Sequence, residues 1–109
     1  MARSCISSLL LAAACLPGGA ALAEDPSTLQ VATWAASCAS CHGTAGRAVP
    51  GSGIAALAGR DPQWIAASLR DYAAGARASA IMGQIAKGYD AAQIAKIADW
   101  FAAQAPEAP

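Results

Sequence analysis

The chain has 109 residues, seven basic and seven acidic side chains and no net formal charge. That length holds one small domain at most, and the even charge balance offers no basic face for nucleic acid. No apolar run approaches the roughly 20 residues that a membrane-spanning helix needs.

In chain order, the first segment reads as an export signal. Arg3 gives a short basic start, Ile6 to Leu16 is an apolar run broken only by Ser7 and Ser8, and "ALA" at Ala21–Ala23 offers a cleavage site before Glu24. The expectation is a cleaved secretory peptide over residues 1–23 and a folded domain over residues 24–109. A lipid anchor at Cys15 competes, within "LAAAC". That motif wants a leucine three residues before the cysteine, where Ala12 stands, so cleavage after "ALA" is preferred. Either way Cys5 lies outside the folded domain, which keeps Cys38 and Cys41 as its cysteines, His42 as its histidine and Met82 as its methionine. Large apolar residues are few and alanine is abundant, so the chain alone fills a core poorly.

Helix signals follow three times. Asp25-Pro26 supplies a cap and a first-turn proline for a helix to about Ser37. Asp61-Pro62 repeats the device before a segment in which Trp64, Ile65, Ser68, Leu69 and Tyr72 share one face. Asp90 with Gln93 has capping-box spacing, and Ile94, Ile97, Ala98 and Phe101 form a stripe in a helix that ends before Pro106. "GTAGRAVPGSGIAALAG" reads as a wrapping loop, and so does "ARASAIMGQIAKG", which holds Met82. No alternating strand pattern stands out. The fold class is therefore all-α, with three main helices and wrapping loops.

The chemistry is concentrated in "CASCH", Cys38 to His42. C-x-x-C-H is the signature of covalent haem attachment: one helical turn presents two sulfurs to one porphyrin edge, and the adjoining histidine becomes the proximal ligand. Three other readings stand beside it. A structural zinc site needs four ligands, and no further cysteine or histidine remains in the domain. A thioredoxin-like redox pair belongs beside a βαβ pattern, which is missing. A local disulfide in an exported protein leaves His42 and the thin core without a role. Haem attachment is preferred.

"CASCH", a single downstream methionine and a last helix bearing aromatic residues together resemble a class I cytochrome c. "GTAG", "LAG" and "IMGQIAKGYDAAQIAKIADWFAAQ" are similar to the cytochrome subunit of flavocytochrome c sulfide dehydrogenase, and the likeness covers nearly all of the domain. The resemblance implies a small class I cytochrome c fold around one haem c, bound through thioethers to Cys38 and Cys41, with His42 and Met82 as iron ligands. No flavin is expected on this chain. Many class I cytochromes place proline after the methionine ligand; Gly83 stands there, as it does in the sulfide dehydrogenase subunit.

The implied role is periplasmic single-electron transfer, with the chain not an enzyme on its own. Its partners would be a flavoprotein sulfide dehydrogenase subunit, as electron donor, and a downstream acceptor. A freely diffusing carrier between other redox enzymes is the alternative, and an open-site sensor or peroxidase follows only if Met82 does not ligate. Secondary expectations concern the surroundings. Pro50 supplies the carbonyl for the His42 ring, with Gly51 and Gly53 equally placed; Arg47 meets a haem propionate or solvent. Trp34 and Trp100 mark a crossing of the first and last helices, where Ala35 and Ala98 permit close approach. Arg77 and Lys87 offer docking charges or a plain solvated surface.

Overall fold

The computed structural model describes residues 26–106. The export segment, its cleavage site, Cys5, Cys15 and Asp25 lie outside the described residues. Five α-helices follow one another: α1 (Thr28–Ala36), α2 (Ala39–His42), α3 (Pro62–Ala74), α4 (Ala80–Ala86) and α5 (Ala91–Ala102). A 3₁₀ turn at Thr44–Gly46 follows α2, and no strand occurs among the described residues.

Local signals explain most boundaries. Asp61 accepts from the Gln63 N–H at 2.8 Å with Pro62 in the first turn, and Gly75 ends α3 in the left-handed conformation (φ 77°). Asp90 and Gln93 close a reciprocal capping box, at 2.8 and 2.9 Å. Two expectations need correction. The cap of α1 is Ser27, whose Oγ accepts from Gln30 N–H at 3.2 Å. Asp25 stands too early, because Pro26 lies before the cap rather than after it. The segment holding Met82 is helix α4 and not a loop: Ser79 caps it, and Ile81, Met82, Ile85 and Ala86 fall on one face at helical spacing.

The three longer helices make the frame. α5 packs against both α1 and α3, and α4 packs on α3. At the α1–α5 crossing Ala35 and Ala98 are buried, with Trp34 and Trp100 packed against the same cluster as expected. Trp100 meets Phe101 edge to face, with ring centroids 5.0 Å apart. Ile97 and Phe101 are the largest fully buried side chains. Among the described residues, five of the ten buried apolar ones are alanines: Ala35, Ala58, Ala66, Ala86 and Ala98.

The long loop between the 3₁₀ turn and α3 is tied down by backbone bonds. Leu57 and Ala58 N–H groups donate to Gly46 O at 2.8 and 3.1 Å, and Gly59 N–H donates to Phe101 O at 3.0 Å. This threads the loop between the turn after His42 and the end of α5.

Candidate functional site

The turn after α1 places both cysteines and the histidine. His42 N–H donates to Cys38 O at 2.9 Å, so the segment from Cys38 onward coils into a single helical turn. Gly43 then takes φ 79°, and a Cβ there would overlap the Arg47 carbonyl, so only glycine lets the chain leave the turn in this direction.

Cys38, Cys41 and His42 line a cavity of about 370 Å³, whose remaining wall is mostly apolar. Ile65 and Leu69 from α3, Met82 from α4, and Ile97 and Phe101 from α5 line the same cavity. The site thus draws together residues read separately in the sequence. The His42 Nδ1 atom stands 2.7 Å from Ala55 O. A carbonyl can only accept, so Nδ1 is the donor, which leaves Nε2 as the ring nitrogen available to a ligand. The acceptor is Ala55 rather than Pro50, Gly51 or Gly53, because the backbone anchors at Leu57 and Ala58 bring the later part of the loop over the ring.

The two cysteines are not joined in a disulfide; Cys38 is half-buried and Cys41 exposed. Burial pushes the Cys38 thiol above its ordinary value; the Ser37 hydroxyl opposes the rise and neighbouring Cys41 adds to it. Among the described residues no three His, Cys, Asp or Glu side chains gather into a metal-holding group, which leaves the zinc reading without a site.

The residues do fit a haem. The cavity falls within the usual range of ligand pockets, about 300–1,000 Å³. Its lining supplies an imidazole, a thioether and two cysteine sulfurs one helical turn apart, the donor set of c-type attachment.

Other expected contacts resolve differently. Arg47 is half-buried and its Nε donates to Ala105 O at 2.9 Å, so it braces the C-terminal segment and does not line the cavity. Arg77 is exposed, as the surface reading expects, and is held by contacts: its Nη1 donates to Ser68 Oγ at 3.1 Å, and its guanidinium lies 4.8 Å from the Tyr72 ring centroid. Lys87 is exposed and stands apart from the cavity wall. Tyr89 escaped the sequence reading. Its hydroxyl is 2.9 Å from Ser37 Oγ, tying the end of α1 to the segment before α5 and bringing Tyr89 onto the cavity wall. Its signal was its place just before the Asp90 cap, where the chain must turn back toward α1.

A family model described as Cytochrome c matches residues 30–104. The chain is 42% identical over 72 residues to the thiosulfate dehydrogenase electron acceptor of Thiomonas intermedia, covering 66% of this chain and 33% of that protein. It is 43% identical over 65 residues to the cytochrome subunit of sulfide dehydrogenase of Chlorobaculum tepidum, covering 60% of this chain and 57% of that protein. The chain therefore spans less than two thirds of either relative's length. Among the described residues no helix is long and apolar enough to cross a membrane. The helical frame is the class I cytochrome c fold expected from the sequence. With the matched stretch running from α1 to the end of α5, the chain belongs to the cytochrome c family, whose members transfer electrons through covalently bound haem.

Proposed function

We propose that this chain is an exported, periplasmic monohaem carrier of single electrons, in which Cys38 and Cys41 would be the thioether attachments and His42 and Met82 the iron ligands. The observation that carries the reading is convergence: the C-x-x-C-H turn and Met82, from segments far apart in sequence, line one apolar cavity. Bound haem supplies a one-electron ferric–ferrous couple. The chain's own residues do the rest. The cysteines tether, and the Ala55 carbonyl fixes the imidazole tautomer. Ser79 holds the Met82 backbone through a 3.1 Å bond, and the aliphatic wall keeps water away. An imidazole–thioether pair favours the reduced state and leaves no position for substrate, which suits transfer over catalysis.

The preferred electron donor is a flavoprotein sulfide dehydrogenase subunit, supported by the likeness to the sulfide dehydrogenase cytochrome subunit. The second reading, a carrier that meets its donor only transiently, is favoured by the likeness to a protein described as an electron acceptor of thiosulfate dehydrogenase.

The deciding measurement is the flavin-to-haem ratio of gently purified protein, followed by addition of sulfide. Near-equal flavin and haem, with the haem turning ferrous on sulfide, is the expected result. A flavin-free haem protein that sulfide reduces only slowly, but thiosulfate reduces through a separate dehydrogenase, makes it a diffusing carrier. For the ligand set, Met82→Ala is expected to bind carbon monoxide where the parent does not. A parent protein that takes up carbon monoxide readily removes Met82 from the iron.

A further inference from the structure

A serine hydroxyl has one proton to give. Ser37 Oγ stands 2.8 Å from the Trp34 carbonyl, which can only accept, so the Ser37 proton is spent there. The Tyr89 hydroxyl, 2.9 Å from the same Oγ, is then the donor of their bond. The two bonds run in one direction, from Tyr89 to Ser37 to the last turn of α1. Cys38 follows directly, with its Sγ 3.9 Å from Ser37 Oγ.

Tyr89 belongs as firmly to the opposite wall. The Gly88 N–H donates to Ile85 O at 3.0 Å and the Tyr89 N–H to Ala86 O at 3.3 Å, so the chain stays coiled against the end of α4 as far as Tyr89. Ala86 is fully buried and anchors that end. α4 packs on α3, with no comparable contact to α1, α2 or α5. Among the described residues, the Tyr89–Ser37 bond is the hydrogen bond that joins the stretch 80–89 to the stretch 27–47. Ser37 and Cys38 at one end, and Met82 and Tyr89 at the other, all line the cavity.

We propose that the Tyr89 hydroxyl, by bonding Ser37, latches the methionine-bearing helix to the C-x-x-C-H turn, which makes Tyr89 a positioning residue for Met82. This rests on the ligation by Met82 proposed above. A seven-residue helix has little persistence of its own, and one packed face on α3 leaves it free to swing. The latch gives it a second attachment, on the side of the cavity that carries His42. Ser37 is exposed and Tyr89 half-buried, so water competes for the bond. Its effect is accordingly modest, about a two- to fivefold change in the population with α4 swung away.

The test uses the holoprotein of the full chain and follows carbon monoxide uptake by the reduced protein, which tracks the population with Met82 off the iron. Tyr89→Phe keeps the ring on the cavity wall and removes the hydroxyl; uptake about two- to fivefold faster is expected. Ser37→Ala gives a similar rise, and adding it to Tyr89→Phe gives no further one, because both remove the same bond. Ser37→Thr keeps a hydroxyl in place and the parental rate. Asp61→Ala, which removes the cap of α3, lowers the urea midpoint and leaves uptake unchanged. Parental uptake in Tyr89→Phe overturns the latch, and so do additive effects of the two single changes. Equal rises in Tyr89→Phe and Asp61→Ala also overturn it, because the hydroxyl then acts through overall stability. A parent that takes up carbon monoxide as readily as Met82→Ala overturns the ligation and the latch together. A parent that resists carbon monoxide, with Tyr89→Phe resisting it equally, overturns the latch alone.

Discussion

Ala45 and Gly46 occupy neighbouring positions in the 3₁₀ turn after His42, both with positive φ, and the two ask for opposite substitutions. Gly46 stands at φ 80°, and a Cβ there would lie 2.8 Å from Phe101 Cδ1 and 3.0 Å from both Ala58 N and Leu57 Cβ. Gly46→Ala thus meets a backbone penalty and a packing clash together, and a loss of about 3 kcal/mol or more is expected. Ala45 sits at φ 54° without being glycine. Left-handed backbone costs a residue with a Cβ about 1–2 kcal/mol, while glycine loosens the unfolded chain by somewhat less. Ala45→Gly is therefore expected to gain about 0.5–1 kcal/mol. Urea midpoints of the two holoproteins, with unchanged slopes, should move in opposite directions. Equal or parallel shifts would mean that the turn relaxes and that its strain is not confined to Ala45.

At the level of an element, α4 is the exposed point of the design. Seven residues are too few to persist as a helix on their own, yet this helix presents Met82. Ser79 Oγ accepts from the N–H of Met82 itself, at 3.1 Å. On the proposed ligation by Met82, Ser79→Ala is expected to cost about 1 kcal/mol and, by that amount, to raise the population with methionine off the iron about fivefold. The reading is faster carbon monoxide uptake by the reduced protein, which follows the population with that position open. Asp90→Ala removes the cap of α5 at similar cost and serves as the control: it should lower the unfolding midpoint and leave the ligand equilibrium unmoved. If both variants shift the ligand equilibrium alike, Ser79 acts through overall stability. The same helix shows where sequence reading stops. Asp61-Pro62 and Asp90 with Gln93 were legible because each cap is written within three residues. α4 was not, since Gly83 and its shortness hide a face formed by Ile81, Met82, Ile85 and Ala86. Site residues named by a local motif were placed together on one cavity, while the carbonyl over His42 and the partner of Arg47 were missed. Ala55 and Ala105 are chosen by long-range anchors at Gly46 and Phe101, and no local spacing encodes those.

For the whole molecule, the balance lies between a thin core and a large hole. Half of the buried apolar residues among those described are alanines, and the helices close around a cavity of about 370 Å³. At about 24 cal/mol per Å³, leaving such a volume without its occupant costs about 9 kcal/mol as an upper bound, because the open mouth admits water. That is comparable to the entire stability of a small domain, about 5–15 kcal/mol. Ile54, Ile81, Ile85 and Trp64 line the same cavity and are substantially exposed, so the protein half of the core is incomplete at its rim as well. On the proposed attachment through Cys38 and Cys41, covalent bonding acts as a folding step, because it would hold the occupant at high effective concentration beside the helices it joins. A Cys38→Ala plus Cys41→Ala variant, which keeps every side-chain cap hydrogen bond and the Ala35–Ala98 crossing, is expected to lack cooperative unfolding and to be cleaved rapidly by protease. Circular dichroism and limited proteolysis of the purified variant measure both. A soluble apo-form with full helix content and a sharp thermal transition would show that the alanine-rich frame stands alone, and that the cavity is a preformed pocket and not a missing part of the core.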